Sequence, residues 1–177
     1  PAGDVLISAA LGDDALAYID VDDNFGVQPA EEAFDSGESP VNVDASNIVW
    51  LDASNTNWID PLSLLSGIKG PEIAFLWGNF QGSQSKSQLN GTLVKLSAGF
   101  SGVLRSQGAA IRAVVVKGQP QHKILGKTHI DALEPGSSFS STGRLVHQVT
   151  SAADAGTLLY VRTNGKFNIA PSSTLLR

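Results

Sequence analysis

The feature that most constrains the fold is a Gly-bounded stretch at residues 91–118, GTLVKLSAGFSGVLRSQGAAIRAVVVKG. Apolar and β-branched side chains are concentrated at residues 92–96 and 111–117, which is typical of strands. Gly residues between these two runs permit a tight turn. The stretch therefore predicts two β-strands around a Gly-rich corner, and it also holds the few polar residues that could line a pocket.

Similar short runs recur along the chain and are separated by Gly and Pro. They lie at residues 5–7, 16–21, 47–51, 73–77 and 157–162. No stretch keeps a helical period over three turns, and the best helix start, at Asp60 and Pro61, is short. We therefore predict an all-β fold, built as a sandwich or a barrel.

Composition argues against several classes of protein. The chain has 177 residues, enough for one good core, and its formal charge of −5 argues against nucleic-acid binding, which needs a basic face. No apolar run is long enough to span a membrane. Cys is absent, which excludes disulfides, thiolate nucleophiles and Cys-ligated metals. We therefore expect neither a nucleic acid nor a membrane as a partner.

An internal repeat is the most informative pattern in the chain. Residues 16–19, LAYI, resemble residues 158–161, LLYV. The same offset matches three further pairs, Phe25 with Phe167, Val27 with Ile169, and Pro29 with Pro171. The shared pattern predicts that the end of one structural unit is followed by a second, complete unit. The alternative is two similar strand–turn–strand pieces within a single domain.

The repeat also predicts domain boundaries. Residues 1–30 would be the tail strands of a truncated first unit, and residues 46–177 would form the complete domain. The segment between them, residues 31–45, is acidic and contains Gly and Pro, which is typical of a linker. Leftover strands would expose unpaired edges. We therefore expect them to pair with a neighbouring chain, giving a homodimer, or to pack on the barrel edge.

The central stretch resembles the first motif of the cupin family, in which Gly, a His-x-His pair, Glu and a second Gly follow at regular spacings. Here Gly99 is followed at those spacings, to within a residue, by Arg105, Gln107, Arg112 and Gly118. The resemblance implies a cupin barrel of the RmlC-like jelly-roll type, with extra N-terminal strands.

The second cupin motif, Pro-x-Gly followed by His, is similar to the segment STGRLVH that ends at His147. Longer phrases resemble the ChrR-like two-domain cupins, an uncharacterised bacterial family. They include IAFLWG at residues 73–78, RAVVVKG at 112–118 and LLYVRTNGKF at 158–167. This resemblance implies a bacterial bicupin, cytoplasmic or periplasmic, that lacks most of its first barrel.

The resemblance also implies where a site would lie. Cupins usually bind a transition metal through three His and one Glu, and the matching positions here hold Arg105, Gln107, Arg112 and His147. His147 alone is a good metal ligand, because Arg has no lone pair to give and repels a cation. We therefore expect no tightly bound cofactor, and a divalent transition metal is the alternative.

The interpretation that survives is an anion site. Residues two apart in a strand share a face, so Arg105 and Gln107 are predicted to face the barrel interior, as is Arg112 on the next strand. Guanidinium groups bind carboxylates and phosphates bidentately. His147 could donate to the same ligand, and Trp77 could form a wall of the pocket.

Alternatives remain open at this point. Arg112 could instead pair with Glu72 or Glu134 and merely fill the interior. His122 and His129 fit no common metal-binding spacing and are predicted to be surface or strand residues. We therefore predict a cupin that is non-catalytic or binds a small anionic molecule, with a degenerate metal site. The alternative is a metal-dependent, dioxygenase-like enzyme whose metal lies on the matching His or in the missing first barrel.

Overall fold

The structure, a computed structural model, describes residues 19, 44–61, 67–78, 89–106 and 108–172. Within these ranges nearly all regular structure is β-strand, and the strands form two sheets of five. No helix in this part of the chain has the length and apolar character that a membrane crossing requires. The prediction of an all-β fold is confirmed.

Ten strands are present among the described residues. They are β1 (Glu72–Gly78), β2 (Asn90–Leu96), β3 (Ser101–Ser106), β4 (Ile111–Lys117), β5 (Gln121–Ile124), β6 (Asp131–Ala132), β7 (Ser138–Ser141), β8 (Val146–Thr150), β9 (Thr157–Thr163) and β10 (Phe167–Pro171). The strand predicted at residues 47–51 is wrong. A 3₁₀ helix at Ala45–Asn47 occupies its start, and Leu51 forms an isolated bridge with Ile73.

The two sheets take alternate strands from the central stretch. The first sheet has the order β1-β2-β9-β4-β7, and the second has the order β10-β3-β8-β5-β6, with all neighbours antiparallel. The predicted Gly-rich corner therefore contains a strand of its own, β3, which belongs to the opposite sheet. Gly99 and Gly108, both at positive φ, lie in the two turns that flank it.

The core lies between the inner faces of the two sheets. In β4, Ile111, Ala113 and Val115 belong to this core, whereas Arg112 between them is exposed. Alternate side chains of a strand point to opposite faces, so Ile111, Ala113 and Val115 share the inner face and Arg112 lies on the outer one. The second sheet contributes Leu104, Val149, Phe167 and Ile169, all less than 2% exposed.

The N-terminal predictions lie outside the described residues. The chain divides into two compact units, Pro1–Ile48 and Val49–Arg177. Of the first unit the structure describes Ile19 and residues 44–48. The second copy of the repeat forms β9 and β10. The first copy, the tail strands and most of the linker are not described, so the domain boundaries and the homodimer stay predictions.

The core of the first sheet offers a direct test of the architecture. Leu159 on the central strand β9 is 0% exposed, so Leu159→Ala is expected to lower the free energy of unfolding by about 2–5 kcal/mol. Leu125→Ala, at a site 55% exposed, is the control and is expected to change it by less than about 0.5 kcal/mol. Urea titration of both variants measures the difference, and equal effects would contradict the assigned faces.

Candidate functional site

Polar side chains interrupt the core on the inner face of the second sheet. His147 of β8 is 1% exposed and is paired across the sheet with Leu104 of β3 and Ile124 of β5. Val149, two residues on, belongs to the core on the same face. A polar ring in this position is stable when its two nitrogen atoms have hydrogen-bond partners.

His122 of β5 supplies the first of these partners. Its Nε2 atom lies 3.0 Å from Nδ1 of His147, and its side chain is buried. The ring of His122 also stacks on Phe139 of β7, with ring centroids 4.2 Å apart. Because β7 belongs to the first sheet, these aromatic rings pack the two sheets together at this point.

Ser141 and Asp131 lie at the two ends of this arrangement. The Oγ atom of Ser141 is 2.7 Å from Nε2 of His147. Asp131 places Oδ2 3.8 Å from Nδ1 of His122, and its Oδ1 lies 2.9 Å from Nε2 of His129. We call Ser141, His147, His122 and Asp131 the histidine chain. It begins at a half-buried hydroxyl and ends at a carboxylate whose side chain is 47% exposed.

Burial keeps both imidazoles of the histidine chain neutral. Loss of hydration lowers the pKa of His147 from 6.5 to about 4, and repulsion from His122 adds to this effect. Burial also lowers the pKa of His122, although the Asp131 carboxylate acts in the opposite direction. At neutral pH each ring therefore carries one N–H donor and one acceptor nitrogen.

A cavity of about 640 Å³ opens where β4 begins and where β7 and β9 end. Its polar lining consists of Arg112, Ser140, Ser141, Thr142, Arg162, Thr163 and Asn164. We call this the strand-end cavity. Ser141 lines it and also bonds to His147, so the cavity and the histidine chain share one residue.

Arg112 and Arg162 occupy directly opposite positions on β4 and β9. Ser140 of β7 continues the same row on the other side of Arg112. The guanidinium carbon of Arg162 lies 5.7 Å from the ring centre of Trp77, whose Nε1 donates to the Tyr160 hydroxyl at 3.1 Å. The row therefore places two arginines at neighbouring positions in a protein whose formal net charge is −5.

The prediction that Arg105 and Arg112 face the barrel interior is wrong. Arg105 is exposed and follows Leu104 of the core, and Arg112 is exposed between Ile111 and Ala113. Successive side chains of a strand point to opposite faces. A motif alignment that is wrong by one residue therefore assigns every side chain of the strand to the wrong face. Arg112 still lines the strand-end cavity, whereas Arg105, on the second sheet, does not.

The other residues named from the sequence have different outcomes. Gln107 lies outside the described residues. Trp77, the predicted pocket wall, is 37% exposed and does not line the strand-end cavity. Glu72 pairs with two lysines, and within the described ranges neither it nor Glu134 forms an ion pair with Arg112. The alternative in which Arg112 fills the interior beside an acid is therefore wrong for these two partners.

The described residues do not fit the transition-metal site that a cupin barrel implies. The inward positions of β3 and β4 hold Leu104, Ser106, Ile111 and Ala113. Both ring nitrogens of His147 are engaged, one by His122 and the other by Ser141. Among the described residues no group of three or more His, Cys, Asp or Glu side chains could hold a metal ion.

Sequence reasoning missed most of the histidine chain. His122, predicted to be a surface or strand residue, does lie in a strand, but it is buried next to His147. The alternation of His122 with Ile124 was a usable signal for an inward face. Nothing local indicates that β5 pairs with β8, and that pairing is what brings the two imidazoles together.

A larger cavity of about 1180 Å³ lies beside Trp58 and Phe75, and its lining includes neither the histidine chain nor the two arginines. Its polar groups are already bonded. Ser54 donates to Asp52 at 2.6 Å, and Asp60 accepts from Asn168 at 2.8 Å. No cluster of titratable side chains lines this larger cavity among the described residues, so the strand-end cavity is the better candidate.

Comparison with known proteins gives a family without an assigned activity. A family model described as "Domain of unknown function (DUF4437)" matches residues 1–170 of the chain. No curated protein sequence matches the chain. The finer resemblance to the ChrR-like two-domain cupins stays a prediction.

Several solved structures are similar in fold. A cupin-2 domain protein from Rhodospirillum rubrum is 14% identical, with 75% of this chain and 78% of that chain covered and a TM-score of 0.51. KdgF from Halomonas sp. is 14% identical, with 72% and 96% covered and a TM-score of 0.50. A cupin 2 conserved barrel domain protein from Rhodopseudomonas palustris is 8% identical, with 71% and 79% covered and a TM-score of 0.50. These similarities confirm the cupin barrel, and at such identities they show the fold alone.

The lowered pKa of His147 predicts a pH dependence of stability. The unfolded chain binds a proton near pH 6.5 and the folded protein near pH 4, so stability is greatest above pH 6.5 and falls as the pH decreases. Between pH 6.5 and 5 the free energy of unfolding is expected to decrease by roughly 2 kcal/mol. His147→Gln should reduce this slope, measured by urea unfolding across the pH range. His129→Gln, at an exposed site, is the matched control and should keep it; equal slopes in all three proteins would contradict the assignment.

Proposed function

This chain belongs to the DUF4437 family and has a cupin fold, and from that premise we propose that it binds a small anionic molecule in the strand-end cavity. The observation that carries the proposal is the pair of guanidinium groups, Arg112 and Arg162, at directly opposite positions on β4 and β9. A guanidinium group presents a planar set of N–H donors that matches a carboxylate or a phosphate.

The charges of the cavity favour an anion as the ligand. Like charges directly opposite each other on neighbouring strands are destabilising, and Arg keeps its charge at any physiological pH. Arg112 forms no ion pair with an acidic side chain in the described part of the chain. An anion bound between Arg112 and Arg162 would be attracted by both positive charges.

The remaining polar groups of the cavity suit the same ligand class. Ser140, in the row of Arg112, and Thr142 bring hydroxyl groups to the lining. The Oδ1 atom of Asn164 accepts a 2.8 Å bond from the backbone N–H of Ala110, so its amide group can act as a donor to a ligand. The cavity thus offers mainly hydrogen-bond donors, which is what an anion requires.

We further propose that the metal site of the barrel is degenerate and that the protein is not a metal-dependent enzyme. Carbon side chains at Leu104, Ile111 and Ala113 support this, because they offer no donor atoms where a ligand would be needed. The hydrogen bonds made by both nitrogens of His147 support it as well.

Removal of one guanidinium group tests the anion site. Arg112→Gln is expected to weaken the binding of succinate about tenfold to a hundredfold, because a hydrogen bond to a charged group contributes roughly 1.5–3 kcal/mol. Isothermal titration calorimetry measures the affinity. Arg105→Gln, which makes the same charge change on the second sheet away from the cavity, is expected to bind like the wild type. Equal losses in both variants, or no anion binding by the wild type, would overturn the proposal.

Elemental analysis distinguishes the proposed anion-binding protein from the alternative, a metal-dependent enzyme. Protein purified without a chelator is expected to contain less than stoichiometric Mn, Fe, Ni or Zn, since the described residues lack the donor set. One equivalent of such a metal, lost in His147→Ala but retained in His129→Ala, would decide for the enzyme.

A further inference from the structure

The row that contains Arg112 and Arg162 continues across the first sheet to Trp77. Arg162 of β9 pairs directly with Gly91 of β2, and Gly91 pairs directly with Trp77 of β1. Directly paired residues of antiparallel strands lie on the same face, so Trp77 and Arg162 share the outer face. Neighbouring strands lie about 4.8 Å apart, and the backbones of Trp77 and Arg162 are separated by two such spacings.

Gly91 leaves the space in which the indole of Trp77 lies. A Cβ atom at residue 91 would overlap the Nε1 atom of this indole and would lie 2.6 Å from its Cε2 atom. Carbon atoms in contact are about 3.5–4.0 Å apart, so any side chain at residue 91 would displace the ring. The indole therefore crosses β2 over a residue that has no side chain, and this brings it towards β9.

A hydrogen bond fixes the indole on the strand that carries Arg162. The Nε1 atom of Trp77 donates to the Tyr160 hydroxyl at 3.1 Å, and Tyr160 is only 7% exposed. Tyr160 precedes Arg162 by two residues in β9, so both side chains lie on the outer face. The ring of Trp77 is thus held between Gly91 and Tyr160.

The guanidinium group of Arg162 lies over this ring. Its carbon atom is 5.7 Å from the ring centre, within the range of about 6 Å over which an aromatic face attracts a cation. Arg162 is half-buried, whereas Arg112 on the same row is exposed. The ring restricts the Arg162 side chain without a hydrogen bond, so it does not compete with an anion for the N–H groups.

We infer that Trp77 is a positioning residue of the anion site, and that Gly91 gives the indole the space to act. The indole holds the guanidinium group of Arg162 at the strand-end cavity before a ligand binds. Ordering a long side chain on binding costs affinity, and part of that cost is removed when the side chain is already restricted. Trp77 does not line the cavity and acts through Arg162, so the inference rests on the proposed function.

Succinate titrated calorimetrically into the full chain tests this role. Trp77→Leu is expected to weaken binding about 3- to 10-fold, as the ordering of one long side chain would cost. Gly91→Ala, which keeps the tryptophan but displaces its ring, is expected to cause a similar loss. Trp50→Leu is the matched control, because Trp50 makes the same kind of contact with Lys95, at 3.9 Å, and neither residue lines the cavity. It is expected to bind like the wild type.

A double-mutant cycle separates positioning from a merely structural role. If Trp77 acts through Arg162, Trp77→Leu is expected to cause no further loss of affinity in a protein that already carries Arg162→Gln. An equal loss with and without Arg162→Gln would overturn the inference.

¹H–¹⁵N NMR of the arginine Nε–Hε groups tests the position of Arg162 without any ligand. The indole is expected to shift the Hε resonance of Arg162 upfield, and both Trp77→Leu and Gly91→Ala are expected to abolish this shift. Absence of the shift in the wild type would overturn the inference whatever the titrations give. Wild-type affinity for succinate in Trp77→Leu and Gly91→Ala would overturn the inference and leave the anion site intact. A wild type that binds no succinate would overturn both.

Discussion

His122 and His147 lie between two sheets, where each ring nitrogen has to find a partner inside the protein. They find it in each other and in Ser141, and Asp131 lies at the far end. Ser141 belongs to the first sheet and both imidazoles belong to the second, so the network joins the sheets by hydrogen bonds as well as by apolar packing. Loss of this network would leave polar rings unsatisfied in the core.

The distribution of charge follows from the same burial. Inside the barrel the ionisable groups of the histidine chain are held neutral, and the charged carboxylate lies at its partly exposed end. The guanidinium groups lie instead on the outer row of the first sheet, at its end, where water reaches them in the free protein. On β7 the two environments alternate, since Ser141 bonds to His147 on the inner face and Ser140 continues the row of Arg112 on the outer face.

Local sequence patterns predicted the class of fold well, because apolar and polar residues alternate along a strand that has one buried face. The runs around Val94, Val114 and Val161 are strands, and the cupin motif spacing correctly indicated the barrel. The sequence predicted less well which residues of each strand face the core, and the predicted site residues depended on that assignment. Arg105 and Arg112 have the spacing of inward residues but are displaced by one position, an error that burial alone can reveal. The pairing of β5 with β8 is a long-range property that no local pattern contains.

The central claim is that this cupin barrel holds a small anion at the end of its first sheet, where Arg112 and Arg162 lie at opposite positions on neighbouring strands. A crystal structure of the protein grown with succinate, without chelator, tests it most directly. The account predicts a carboxylate of succinate between Arg112 and Arg162. Succinate bound elsewhere, or a metal ion coordinated by His147, would contradict it.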